Sequence, residues 1–452
     1  MKSKGWLGTA AIAVTVLSTA CFLFTLQFTA QRRDAAVARL REIAAYHQVR
    51  PKTAVQRANI GSDSVSPESP ADNDARALYR KLAALVKTLR ESDPNGYESC
   101  RKCVDDYAVD PSGCVEARAF IDQAHALIPD IRRLASLDGP YVDANVRYKS
   151  DGSVDLTPLA PLCDFEVLVC ADARVQSRRE SNSESVKDLI SAIWLADTLL
   201  FAPCVISQRW RYETYRRAFE ISQEMAQSAE FSVEHARALV GQLPSPEGRE
   251  ALATSLVYLS SYMLDSIDST RGKNWLSFYK EDGLGRYQRI LMSPIGRPAL
   301  DLTEQAYADA MAKVIAAAPL PYYEAKRKLA ECDRSVTQLS RWRRKGLDDY
   351  LGSLPPSQNL AGQATYEAMI DLMRLGLSLQ QHQLQFHSCP ASLEVIAAEL
   401  GATAPLDPFS GKDYVYQVSG STFTLRSVGL NGVDNSEFDG SKGDDIVWRG
   451  KA

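Results

Sequence analysis

Histidine is scarce in these 452 residues: there are five, His47, His125, His235, His382 and His387, and none stands in HExxH or beside a GxSxG nucleophile elbow. That absence excludes the zincin peptidases and the serine hydrolases with that elbow. A charge excess of either sign is also missing. Lysine plus arginine number 52 against 56 aspartate plus glutamate, a net charge of -4, so nothing draws the whole chain to a phosphate backbone and nucleic acid is not an expected partner. No fixed repeat period runs through the chain to commit it to a solenoid, although paired helices fit the pattern.

The most consequential absence is local. No charged residue occurs between Lys4 and Arg32, and Trp6 to Ala30 reads WLGTAAIAVTVLSTACFLFTLQFTA. At about 1.5 Å per residue this run spans about 37 Å as a helix, more than the roughly 30 Å of bilayer hydrocarbon. Residues 1–31 are therefore expected to be a membrane anchor, with the membrane as partner through this helix. A cleaved signal peptide competes, but a cut after Ala20 would leave CFLFTLQF at the new terminus. Lipidation at Cys21 lacks the large aliphatic residue three positions earlier, where Ser18 stands. Two signals disagree about orientation. Arg32, Arg33, Arg39 and Arg41 outweigh Lys2 and Lys4 and favour a cytosolic body. Eight cysteines outside the anchor, Cys100, Cys103, Cys114, Cys163, Cys170, Cys204, Cys332 and Cys389, favour an oxidising compartment. The expectation is a single-pass inner-membrane protein with its body in the periplasm.

Arg32 to Gln48 is helix-forming and ends before Pro51, and NIGSDSVSPESPADND (Asn59 to Asp74) has the composition of a linker. Residues 32–74 thus read as a juxtamembrane helix and linker, with the folded body starting near Ala75. From 75 to 363 helical periodicity dominates, beginning with Leu78, Leu82, Leu85 and Leu89. Further helices are expected over Val115 to Leu137, Ser185 to Ser228, Glu234 to Leu243, Arg249 to Ser269, Thr303 to Ala317 and Tyr322 to Lys345. Asp138 to Pro161 and Gly283 to Pro298 carry turn residues and read as loops. Residues 364–452 change character. A helix over Thr365 to His387 and a short run LEVIAAEL lead into alternation at Tyr414, Tyr416 and Val418, a turn at Ser419 to Ser421, and alternation again at Phe423 and Leu425, the pattern of a hairpin. The fold class expected is mainly α: an N-terminal transmembrane helix, a large helical domain and a small C-terminal α+β module with an antiparallel sheet.

That tail, with its PASLE, DPFSGKDYVY, SVGLNGVD and DDIVW segments in order after a long helix, resembles the C-terminal half of the major pseudopilin of type II secretion. The whole chain resembles uncharacterised bacterial proteins that place a membrane helix and a helical domain before such a tail. The likeness implies a calcium site at Asp434, Asp444 and Asp445, with Asp439, Glu437 and the Leu430 backbone as further donors, since calcium takes six to eight oxygens. The residues alone read equally as a solvated acidic turn. Filament assembly is not expected, because the prepilin signal is missing and some 300 residues stand before the module.

Other constellations read as structural. Cys100, Cys103 and Cys114 suit disulfides tying a loop over Ser92 to Ser112 better than a zinc site completed by His125. His382 and His387 beside Cys389 read as a polar helix end rather than a Cys/His pair. Trp210, Tyr212 and Tyr215 read as helix packing with snorkelling arginines, and Arg341 to Lys345 as a solvated face. Function stays unassigned by motif. The favoured expectation is a non-enzymatic, membrane-anchored envelope protein that scaffolds or binds a protein partner. The alternative is a periplasmic enzyme doing carboxylate acid/base chemistry in the helical domain.

Overall fold

The structure, a computed structural model, describes residues 4–49, 70–105, 113–137, 147–148, 154–202, 204–244, 249–271, 297–338, 356–399, 403–434 and 444–451. Side chains are described from Ser18 onward, apart from several positions at element ends. Fourteen α-helices and a small C-terminal sheet are present among these residues. They are α1 Lys4–Val49, α2 Pro70–Ser92, α3 Pro94–Asp105, α4 Gly113–Ala124, α5 Ile128–Ser136, α6 Ala160–Arg178, α7 Asn182–Thr198, α8 Val205–Ala226, α9 Val233–Val240, α10 Arg249–Arg271, α11 Arg297–Ala317, α12 Tyr322–Thr337, α13 Ala361–Phe386 and α14 Leu393–Glu399.

The first helix covers the whole apolar run and continues past it without a break. Phe22, Leu23, Phe24 and Phe28 are exposed, whereas Thr29, Ala36, Val37 and Leu40 are buried against α11 and α10. The Thr29 hydroxyl donates to Asp301 Oδ2 at 3.4 Å, and Arg33 Nη1 lies 3.1 Å from Asp301 Oδ1. Residues 29–40 therefore form part of the core, so the packed body begins well before Ala75, where the sequence suggested a juxtamembrane segment. Among the described side chains, no helix is long and apolar enough to cross a membrane; residues 4–17 of the run are described as helical backbone alone.

Helix α6 is the centre of the molecule, packed on α2, α3, α4, α5, α7 and α8. Phe165, Val167, Leu168, Val169, Cys170, Ala171 and Ala173 are buried on all its sides, and so are Asp164, Glu166, Asp172 and Arg174. The stretch expected to be a loop up to Pro161 narrows to a two-residue ribbon, β1 Arg147–Tyr148 with β2 Val154–Asp155, before α6 opens with Pro161 in its first turn. The cysteine-bearing segment after Ser92 differs from the loop expected. It is helix α3, started by Asp93, whose Oδ1 accepts from Gly96 N–H at 2.9 Å, and by Pro94 at the first helical position. Expected helix Val115 to Leu137 is split into α4 and α5 at Pro129, and Ser185 to Ser228 into α7 and α8 near Pro203.

At the C-terminal end, β3 Val415–Ser419, β4 Thr422–Ser427 and β5 Ile446–Lys451 form an antiparallel sheet in the order β3-β4-β5. Ser419 pairs with Thr422 around a two-residue turn in which Gly420 has φ +62. The inward face of the sheet carries Tyr416, Phe423, Leu425 and Trp448 toward α13, as the alternation implied. Trp448 is fully buried, stacked edge-on to Phe219 at 5.4 Å and seated where Gly376 lacks a side chain.

Candidate functional site

In the acidic corner suggested by the tail, Leu430, Asp434 and Asp444 each meet a different partner. Gly429 sits in the left-handed region at φ +61, where a Cβ would come within 2.1 Å of the Asp444 carbonyl oxygen. This close approach lets Asp444 Oδ2 accept from Asn431 N–H at 2.7 Å. The Leu430 carbonyl accepts from Lys326 Nζ at 3.0 Å, and Asp434 Oδ2 lies 3.4 Å from Arg426 Nη2. Two protein cations thus already serve the oxygens that calcium would take, and no cluster of three metal-ligating side chains occurs among the described residues. Asp445 immediately precedes β5, and Asp439 and Glu437 lie outside the described residues.

The remaining sequence candidates resolve into structural roles. His235 Nδ1 accepts from Ser232 N–H while the Ser232 hydroxyl accepts from His235 N–H, a capping box at the start of α9. With Nδ1 accepting, a neutral ring carries its proton on Nε2, which therefore donates to Ser183 Oγ at 3.0 Å and cannot act as its base. His387 closes α13 in the left-handed conformation, and His382 pairs with Glu399 at 2.9 Å. Cys163, Cys170, Cys204, Cys332 and Cys389 are free thiols; burial pushes the Cys170 thiol up to about 12, and Cys332 and Cys389 upward as well, away from the thiolate form. The Cys114 side chain and Arg341 to Lys345 lie outside the description.

Arg211 departs from the snorkelling role expected of it. It is 1% exposed, with its guanidinium 4.4 Å from the centroid of Tyr366 and 5.5 Å from that of Tyr215. It donates to the Tyr366 hydroxyl and pairs with Asp197, which also accepts from the Tyr215 hydroxyl at 2.7 Å. A second chain follows along α13. Glu367 receives Arg249 bidentately at 2.6 and 2.7 Å and Gln363 Nε2 at 2.8 Å, and Gln363 Oε1 accepts from the Tyr212 hydroxyl at 2.6 Å. One turn on, Asp371 accepts from the Tyr414 hydroxyl at 3.1 Å, and burial pushes its carboxyl up to about 7 against Arg374 and that bond.

Helix α6 contributes a further set that sequence reading missed altogether. Glu166 Oε2 accepts from the Thr214 hydroxyl at 2.5 Å, and burial pushes the carboxyl up to about 7 against that bond and the Arg217 charge. Asp164 takes Arg90 at 2.8 Å and the Tyr97 hydroxyl at 2.6 Å, and Arg174 pairs with Glu224 at 2.5 Å. None of these carboxyls lines the groove of about 610 Å³ over the C-terminal sheet, which is bounded by Gln227, Gln417, Ser419, Thr422, Thr424 and Arg449 around Val418, Phe423 and Gly450.

No family model, curated protein or solved structure matches the chain.

Proposed function

We propose that the chain is a membrane-anchored, non-enzymatic envelope protein whose helical body scaffolds or binds a protein partner. One observation carries the reading. An unbroken helix exposes Phe22, Leu23, Phe24 and Phe28 immediately before the turn at which it enters the core through Thr29 and Arg33. Four large apolar side chains within two turns of a surface helix cost free energy in water, whereas in lipid they would be at home. Binding is favoured over catalysis because Glu166, Glu367 and Asp371 are engaged by threonine, arginine and tyrosine, while the groove over the C-terminal sheet is lined by neutral amides and hydroxyls and one arginine around Val418 and Phe423. Fractionation tests the anchor. The full chain should stay with membranes through an alkaline carbonate wash, and a chain starting at Thr29 should be released. A full chain recovered in the soluble fraction would end the reading.

Calcium belongs to the same proposal as a stiffener of the Asp434, Asp444 and Leu430 corner. Binding would displace Lys326 and Arg426 from their oxygens. Calcium should raise the melting temperature relative to chelator, by about 2.7 kcal/mol of stability at a hundredfold excess over its dissociation constant. Asp444→Ala should abolish the rise. Identical melts with calcium and with chelator would remove the ion from the proposal.

A further inference from the structure

We infer that Asp172 and Asp188 share one proton beneath Arg132, and that losing this proton at alkaline pH loosens the packing of α5, α6 and α7. Asp172 on α6 and Asp188 on α7 are 1% and 0% exposed and meet the same guanidinium. Arg132, from α5, donates through Nε to Asp188 Oδ1 at 2.7 Å and through Nη1 to Glu184 Oε2 at 2.6 Å, and its Nη2 lies 3.8 Å from Asp172 Oδ2. Gln176 Nε2 donates to Asp172 Oδ1 at 3.0 Å. That leaves Asp172 Oδ2 and Asp188 Oδ2, both buried, without an N–H or O–H donor, yet the two carboxyls are within hydrogen-bonding reach of each other.

Two ionised carboxylates at that separation would repel, and each would keep an orphan acceptor in a dry interior. One proton between them removes both costs by making an O–H···O⁻ bond. It also balances the charge. The half-ionised pair and Glu184 carry two negative charges, and Arg132 and Lys187, which donates to Glu184 Oε1 at 2.6 Å, carry two positive ones. The other titratable group whose charge acts on this pair from α6 is Cys170, whose buried thiol stays neutral. In line with this geometry, burial pushes Asp188 up to about 8 despite its Arg132 hydrogen bond, and the Asp172 charge adds to the rise. A carboxyl raised in this way contributes stability that is fully present below its unfolded value and is lost as pH rises through its folded one.

The test uses the full-length chain in detergent. Melting temperature should fall between about pH 7 and 9 in the parent, and Asp188→Asn, which replaces the shared O–H by an amide, should remove part of that fall. Glu184→Gln takes a charge from the same guanidinium but leaves the proton in place, and should retain the full alkaline loss. Infrared difference spectra between parent and Asp188→Asn should show a protonated-carboxyl stretch at neutral pH that titrates away in alkali. If Asp188→Asn fails to fold, Asp172→Asn provides the same comparison. An Asn variant with the parent's full alkaline loss, or a spectrum without the protonated stretch, would overturn the inference.

Discussion

Gly376 stands in the middle of a 26-residue helix, where glycine ordinarily costs about 0.5–1 kcal/mol relative to alanine. The reason for it lies across the interface. An added Cβ would sit 2.4 to 2.5 Å from three atoms of the Trp448 indole, and Trp448 is fully buried. Gly376→Ala should therefore destabilise by about 1–3 kcal/mol, the overpacking cost exceeding the gain in helix propensity. Denaturant unfolding checks this, and an alanine variant as stable as the parent would show that β5 is not seated on that glycine. The same scale shows what one-letter patterns hide. Arg211 has the neighbours of a solvated arginine in sequence, SQRWRYETYRR, yet the partner that fixes it inside is Tyr366, 155 positions away.

Among the elements, the hairpin and α13 were legible because alternation and a long apolar stripe are local signals. Gly420 at the turn and the inward row of Phe423 and Leu425 lie where the pattern put them. Helix α6 was not legible, for a physical reason: every face of it is buried, so no polar face marks a period, and its four interior charges look like surface residues. Each of those charges meets a partner from another helix, such as Thr214 for Glu166 or Arg90 for Asp164. Helix α3 had a readable start in Asp93–Pro94, obscured by the cysteines that drew attention to loop chemistry. Of the acidic corner, Leu430, Asp434 and Asp444 were picked out in sequence, but their partners Lys326, Arg426 and the Asn431 N–H were not. The cation on the Leu430 carbonyl, Lys326 from α12, lies 104 positions earlier and could only be seen in three dimensions.

At the scale of the whole molecule, buried and exposed carboxyls pull the pH response in opposite directions. Burial raises Glu166 and Asp371 to about 7 and Asp188 to about 8, so the folded chain holds protons that the unfolded chain has released. Their contribution is fully present below about pH 4 and lost as pH rises to about 7–8. Hydrogen bonds lower Glu184, from Lys187 first, and Glu234 and Glu394 at their helix starts, and those contributions are lost in acid instead. The full chain should therefore melt higher at about pH 5.5 than at about pH 8.5; a higher melting temperature at the alkaline value would contradict the burial of these groups.

Helix α1 belongs to this scale too, because it is at once the exposed apolar rod and a strut of the core. A helix turns about 100° for each residue added. One alanine inserted between Phe28 and Thr29 would move Phe22, Phe24 and Phe28 by that angle relative to the Asp301 bond while shifting them along the axis by only about 1.5 Å. On the proposed membrane role, the number of residues between those rings and Asp301 sets a phase rather than a reach: it fixes which side of the body faces sideways along the bilayer and which partners in that plane it can meet.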